Sequence, residues 1–100
     1  MEQDGLYYDY DGNPITADEW VMLWQKDRVI QQDDYDRGRI STVWIGLDQG
    51  FGLEGAPLIF ETMIFGGKFN GEQWRAATRK EALRNHMAAY QLMRDARGKA

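Results

Sequence analysis

Ser41-Thr-Val-Trp-Ile-Gly-Leu47 and Pro57-Leu-Ile-Phe-Glu-Thr-Met-Ile-Phe65 are two of the most apolar runs in the sequence, separated by the glycine-rich Asp48-Gln-Gly-Phe-Gly-Leu-Glu-Gly-Ala56. Each run has the length of a strand, is rich in β-branched and aromatic residues, and is bounded by Gly or Pro, which predicts two central strands. Alternation places Leu58, Phe60, Thr62 and Ile64 on one side of the second strand and Ile59, Glu61, Met63 and Phe65 on the other. Both sides are largely apolar. Helices can cover one face, which leaves the other for the N-terminal segment or another chain.

Working outward, residues 28–32 predict a short strand, and Asp33-Asp-Tyr-Asp-Arg-Gly38 supplies a turn into Arg39-Ile-Ser-Thr-Val-Trp44, making a hairpin. On the other side, Gly66-Gly-Lys-Phe-Asn-Gly71 contains Asn70-Gly71, a hairpin signal because both residues tolerate positive φ, so residues 72–77 pair back as the last strand. Helices flank this sheet. After an extended Tyr7–Ile15 that turns at Asp11-Gly12, Thr16 and Glu19 form a capping box, and Trp20, Leu23 and Trp24 share one face of a helix over 17–26. Thr78 and Glu81 form a second capping box. The helix it opens presents Leu83, His86, Met87, Tyr90 and Met93 along one stripe and ends at Gly98. The whole chain, 1–100, therefore reads as a single α+β domain: a three- to four-stranded antiparallel sheet with an N-terminal and a C-terminal helix packed on it.

One hundred residues with 43% hydrophobic side chains, four Trp, five Tyr and four Phe can bury one real core without metal or disulfide support. The absence of cysteine excludes disulfides, Cys-zinc sites and thiol catalysis. The Met-Glu-Gln-Asp-Gly start lacks the basic and apolar regions of a signal peptide, and no apolar run approaches the ~18 residues that span a bilayer. A soluble intracellular protein with no membrane attachment is expected. Residues 1–36 hold ten Asp/Glu against Lys26 and Arg28, while residues 37–100 hold ten Lys/Arg against six Asp/Glu. The halves, at −8 and +4, can attract within one fold, or the acidic half can steer a basic partner.

Two motif-like strings fail on chemistry. Gly50-Phe-Gly-Leu-Glu-Gly55 matches the Gly-x-Gly-x-x-Gly of dinucleotide loops, but it leads into a strand instead of a helix N-terminus, and Asp48 and Glu54 repel an anion. Asp9-Tyr-Asp-Gly-Asn13 opens like a calcium loop, but Pro14 stands where that loop requires Gly and Trp20 where it requires a bidentate Glu. Neither a cofactor nor a metal site is expected. Glu61 interrupts an apolar strand, and His86, the only histidine, lies on the apolar stripe of the last helix. A Glu61–His86 contact is the candidate catalytic pair, because each partner would move the other's pKa, but structural pairs outnumber catalytic ones and no nucleophile or oxyanion donor can be placed beside it. Arg75, Arg79, Lys80, Arg84, Arg94 and Arg97 with Trp74 raise nucleic-acid binding, which the acidic balance of the whole chain disfavours. Candidate binding residues are Trp20, Trp24 and Trp44 as aromatic anchors, and Asp33, Asp34 and Asp36 as an acidic surface.

Four blocks carry a family resemblance: Tyr8-Asp-Tyr-Asp-Gly-Asn-Pro-Ile-Thr16 with Glu19-Trp20, Ser41-Thr-Val-Trp-Ile-Gly-Leu-Asp48, Pro57-Leu-Ile-Phe-Glu-Thr-Met-Ile-Phe-Gly66, and Thr78 to His86. Together they resemble a small hypothetical-protein family of actinobacterial bacteriophages over nearly the whole chain. The Leu-Ile-Phe-Glu-Thr-Met-Ile-Phe-Gly block is the most specific part. The sequence departs from the pattern at Arg84-Asn85, where relatives carry a small residue beside the histidine. The resemblance implies phage origin and a place in the host bacterial cytoplasm, and supplies no mechanism. The expected function is a protein-binding module that modulates a bacterial host protein or defence and that can also form a homodimer. The alternatives are a small enzyme using Glu61 and His86, or a nucleic-acid-associated or minor phage structural protein.

Overall fold

The elements of the fold are α1 (Ala17–Trp24), β1 (Val29–Tyr35), β2 (Gly38–Trp44), β3 (Phe60–Phe65), β4 (Gln73–Ala76) and α2 (Arg79–Gly98), in a computed structural model that describes residues 7–36, 38–48 and 56–98. The strands form one antiparallel sheet in sequence order, β1-β2-β3-β4. An α+β fold with both helices packed on the sheet is what the patterning predicts. Thr16 and Glu19 close the expected capping box on α1. At the start of α2, Glu81 N–H donates to Thr78 Oγ1 at 3.1 Å, and Ala77 N–H donates to the Glu81 carboxylate. The Asn70-Gly71 hairpin joins β3 to β4, with Gly71 at φ 93° and Gly66 N–H donating to Asn70 Oδ1.

Helix α2 covers one face of the sheet. Ile40, Thr42 and Trp44 from β2, Phe60, Thr62 and Ile64 from β3, and Ala76 from β4 are buried beneath it together with Ala82, His86 and Ala89. Two alanines, one on either side of His86 along the helix, let the backbone of α2 approach closely enough for the imidazole to reach the sheet. The expected stripe is therefore rotated. Met87, counted on it from hydropathy, is 54% exposed, because the contact line runs through small residues that a hydrophobicity reading undervalues.

Strand β1 is also longer than expected. It runs through Asp33, Asp34 and Tyr35 instead of turning at Asp33, with a bulge between Val29 and Gln31. Aspartate is a poor strand former by propensity. Here Asp33 finds a partner on α2, and Asp34 pairs with Arg39 at 2.6 Å across the hairpin, so tertiary partners override the local preference.

The second half of the core is aromatic. Trp44, fully buried, receives Tyr10 at 4.5 Å and Trp24 at 6.2 Å between ring centroids, and Trp20 stacks at 4.7 Å on Trp24 and at 5.2 Å against Tyr7. These contacts bring α1 and the N-terminal segment onto the end of the sheet, on the same face as α2. The segment is tied there by Tyr8 N–H donating to the Gly46 carbonyl, while Trp20 Nε1–H donates to the Ile45 carbonyl at 3.0 Å. Gly46, at φ +75°, lies beneath both indoles. A Cβ there would sit 2.4 Å from the Trp44 ring and 2.6 Å from Trp20 Nε1. Gly46→Ala is expected to cost about 2–4 kcal/mol, from left-handed backbone strain plus overpacking. Urea denaturation followed by tryptophan fluorescence measures it.

Candidate functional site

Thr42 and Thr62 stand at the middle of the helix-covered face, each the one polar residue among buried apolar neighbours on its strand. They face each other across the β2–β3 ladder, and their hydroxyl oxygens lie 2.6 Å apart. His86 comes down on them from α2, with Nδ1 2.8 Å from Thr42 Oγ1 and Nε2 2.7 Å from Asp33 Oδ2 on β1. The carboxylate can only accept, and with a neutral imidazole that sets the donor order. Nε2–H donates to Asp33, Nδ1 accepts the Thr42 hydroxyl proton, and Thr42 accepts from Thr62. This places the Thr62 proton on Thr42 at 2.6 Å and not on the Ala82 carbonyl at 3.5 Å. Among the described residues, no buried side-chain nitrogen or oxygen lacks a hydrogen-bond partner.

The hydrogen bond from His86, and then that from Gln31, hold the Asp33 carboxyl below its ordinary value against a smaller opposing effect of burial. Beside it, burial raises the Tyr35 phenol, with the Asp33 charge and Tyr90 adding to the rise. Asp33 is the outer end of the chain, 40% exposed at its side chain, while the His86 side chain is 3% exposed. A carboxylate, an imidazole and a hydroxyl in series have the composition of an acid–base–nucleophile triad. Thr42 Oγ1 is nonetheless sealed under α2, and an electrophile cannot approach it while the helix sits on the sheet. The arrangement holds α2 to three strands.

Glu61 lies elsewhere. The ladder pairs it with Val43 and Arg75 on the opposite face of the sheet, and its carboxylate is 3.7 Å from Arg75 Nε. The expected Glu61–His86 contact is thus corrected: successive residues of a strand point to opposite faces, and Thr62, not Glu61, points at α2. His86 takes Asp33 as its carboxylate instead. Of the candidate binding residues, Trp44 is fully buried, Trp20 and Trp24 are half-buried in the aromatic cluster, and Arg28 lies 3.7 Å over the Trp24 ring. Asp33 and Asp34 are held by His86 and Arg39, and Asp36 is exposed in the β1–β2 turn.

The remaining candidates resolve in similar ways. Asp9 accepts from the backbone N–H groups of Asp11 and Asn13 and from the Asn13 amide, closing a turn with its own oxygens. Burial alone would raise its pKa, but these bonds outweigh that and hold it low. Among the described residues, no group of three or more His, Asp or Glu is placed to hold a metal ion, and the Gly50–Gly55 string lies outside them. Arg79, Lys80, Arg84 and Arg94 line the solvent side of α2, while Trp74 packs inward toward Ile40 and Ile64. A shallow groove of about 430 Å³ lies between the N-terminal turn and α1, floored by Tyr10, Ile15, Met22 and Leu23. The carboxylates of Asp9 and Glu19 at its rim already accept bonds from their own turn and cap. No described helix is long and apolar enough to cross a membrane.

The face of the sheet opposite α2 is different in kind. It carries Val29, Val43, Met63 and Phe65, with Val29 42% and Phe65 46% exposed, and none of the described elements covers it. Comparison of the chain with protein-family models, with curated proteins and with solved structures finds no match.

Two outcomes test the buried chain. His86→Leu is expected to lose about 2–4 kcal/mol, since it strands Asp33 and both threonines, and to couple with Asp33→Ala by more than about 0.5 kcal/mol in a double-mutant cycle, whereas its coupling with Glu61→Leu stays within about 0.3 kcal/mol. Folded, the Asp33 carboxyl binds its proton more weakly than in the unfolded chain. Its stabilising contribution is therefore fully present above about pH 4 and is lost as pH falls through the lower folded value. Thermal denaturation from about pH 6 down to about pH 2 should accordingly cost the parent protein more stability than Asp33→Asn.

Proposed function

We propose that this chain is a protein-binding module and that the open face of its sheet is the docking surface. The observation that carries the reading is the apolar set Val29, Val43, Met63 and Phe65, which none of the described elements covers, on a fold whose described buried polar atoms are all satisfied. A contiguous apolar patch with half-exposed members such as Val29 and Phe65, rimmed by charged pairs, is the usual mark of an interaction site. The sealed position of Thr42 and His86 favours binding over catalysis, since the acid–base groups of the core have no access to substrate. The resemblance to actinobacteriophage proteins supports a bacterial host protein as the partner, bound in the host cytoplasm.

Met63→Arg places a charge at the middle of the patch on a half-buried position, where the long side chain can reach solvent. Immobilised parent protein is expected to retain a specific protein from an actinobacterial lysate, and Met63→Arg, folded by circular dichroism, is expected to lose it. Equal retention by both would place the partner on another surface.

A further inference from the structure

Beneath α2, Thr42 Oγ1 lies between Thr62 Oγ1 at 2.6 Å and His86 Nδ1 at 2.8 Å, and either hydroxyl can be the donor to the other. Thr62 Oγ1 has one more acceptor within reach, the Ala82 carbonyl of α2 at 3.5 Å. While the imidazole is neutral, the Thr62 proton goes to the nearer Thr42, and Ala82 takes none from it. The buried end of the hydrogen-bond chain therefore holds a spare acceptor.

We propose that this spare acceptor lets His86 take up a second ring proton inside the folded protein, by reversing the direction of the threonine hydroxyls while α2 stays in place. An imidazolium has two donors and no acceptor. With one proton from solvent bound at Nδ1, Nδ1–H donates to Thr42 Oγ1, Thr42 turns its own proton to Thr62 Oγ1, and Thr62 turns its proton to the Ala82 carbonyl. Two bonds change direction, one is added, and Nε2–H keeps its bond to the Asp33 carboxylate at 2.7 Å. No buried donor is left unmet, and the hydroxyl protons move by rotation about their Cβ–Oγ bonds.

Magnitudes decide which order holds. At 3.5 Å the Ala82 contact is longer than the about 2.5–3.0 Å of an ordinary hydroxyl bond, so a neutral ring keeps the Thr62 proton on Thr42. A charged donor makes a bond roughly twice as strong as a neutral one, so the bond from Nδ1–H to Thr42 then dictates the direction of the rest.

The surroundings of the ring have the sign this needs. On the helix side of the sheet β1 brings the titratable groups Asp33 and Tyr35, whereas β2 brings Ile40, Thr42 and Trp44, β3 brings Phe60, Thr62 and Ile64, and β4 brings Trp74 and Ala76. On α2 itself Tyr90 stands one turn on and faces Tyr35 at 5.8 Å between ring centroids, while Lys80 and Arg84 are exposed. Among the described residues the charge that meets the ring is thus the Asp33 carboxylate. Its side chain is 40% exposed, so water still solvates it and the ion pair avoids the full desolvation cost of a buried one. Proton uptake makes the acidic edge of Asp33, Asp34 and Asp36 one charge less negative.

His86 is the only histidine, so its ring signals are assigned without ambiguity. Long-range proton–nitrogen NMR correlation is expected to show Nε2 protonated and Nδ1 unprotonated at about pH 8, and both protonated at about pH 5 while the backbone amides keep the folded pattern. An Nδ1 that stays unprotonated in the folded protein at about pH 5, or a protein that unfolds as the ring gains its proton, overturns the proposal. Thr62→Val tests the chain itself. With a neutral ring Thr42 still donates to Nδ1, but with a charged ring the Thr42 proton has no acceptor, while the unfolded chain binds the proton freely. Stability of the variant therefore falls as pH falls through the histidine range. By urea denaturation at about pH 8 and about pH 5, Thr62→Val is expected to lose about tenfold more in its folding equilibrium constant than the parent, with Thr62→Ser following the parent. The Asp33 carboxyl, held below its ordinary value, titrates below this window. An equal loss for Thr62→Val and parent overturns the reversal. If Thr62→Val does not fold at about pH 8, the parent's ring nitrogens decide between the same outcomes.

Discussion

A histidine buried beneath a helix must have each ring nitrogen met by another group, and in this fold that requirement is met from three separate strands. Asp33 on β1, Thr42 on β2 and, through Thr42, Thr62 on β3 converge on His86 of α2. An apolar helix face could slide along an apolar sheet at small cost, because dispersion and burial are indifferent to shifts of a few ångströms. A chain of hydrogen bonds between 2.6 and 2.8 Å is not. Any displacement of α2 leaves buried polar atoms unpaired, each at a cost of about 1–3 kcal/mol. The network therefore sets where the helix lies, and the small Ala82 and Ala89 set how close.

That placement decides the two faces of the sheet. Both helices and the aromatic cluster of Tyr10, Trp20, Trp24 and Trp44 occupy one side, so none of the described elements is left to cover the other. A sheet with one solvated face normally alternates apolar and polar residues along each strand. Here β3 presents Glu61, Met63 and Phe65 outward, and β2 presents Arg39, Ser41 and Val43, a mixture that is neither a core nor an ordinary solvated surface. Its charges occur as cross-strand pairs, Asp34 with Arg39 and Glu61 with Arg75, so the face as a whole has no net charge. A neutral, patterned patch offers little long-range electrostatic steering.

The sequence by itself determined the local structure. The capping box at Thr16, the Thr78 cap of α2, the Asn70-Gly71 turn and the strand-length runs around Trp44 and Phe60 each depend on interactions within a few residues, and each appears in the fold, although Glu81 returns its bond to Ala77 N–H and not to Thr78 N–H. The separation of Thr62 from Glu61 onto opposite faces was also legible, since it needs only the period of a strand. A closer reading of that period would have found part of the site, because Thr42 and Thr62 are lone polar residues at the inward positions of adjacent strands. What the sequence could not settle was which face received the helices. Both sides of β3 are largely apolar, and it is α2, brought down by its two alanines and anchored through His86, that decides between them. Asp33 illustrates the same limit. Its local preference is for a turn, yet it lies in a strand because its partner is 53 residues away in sequence, and a stabilisation that arrives from such a distance exists only once the chain has folded.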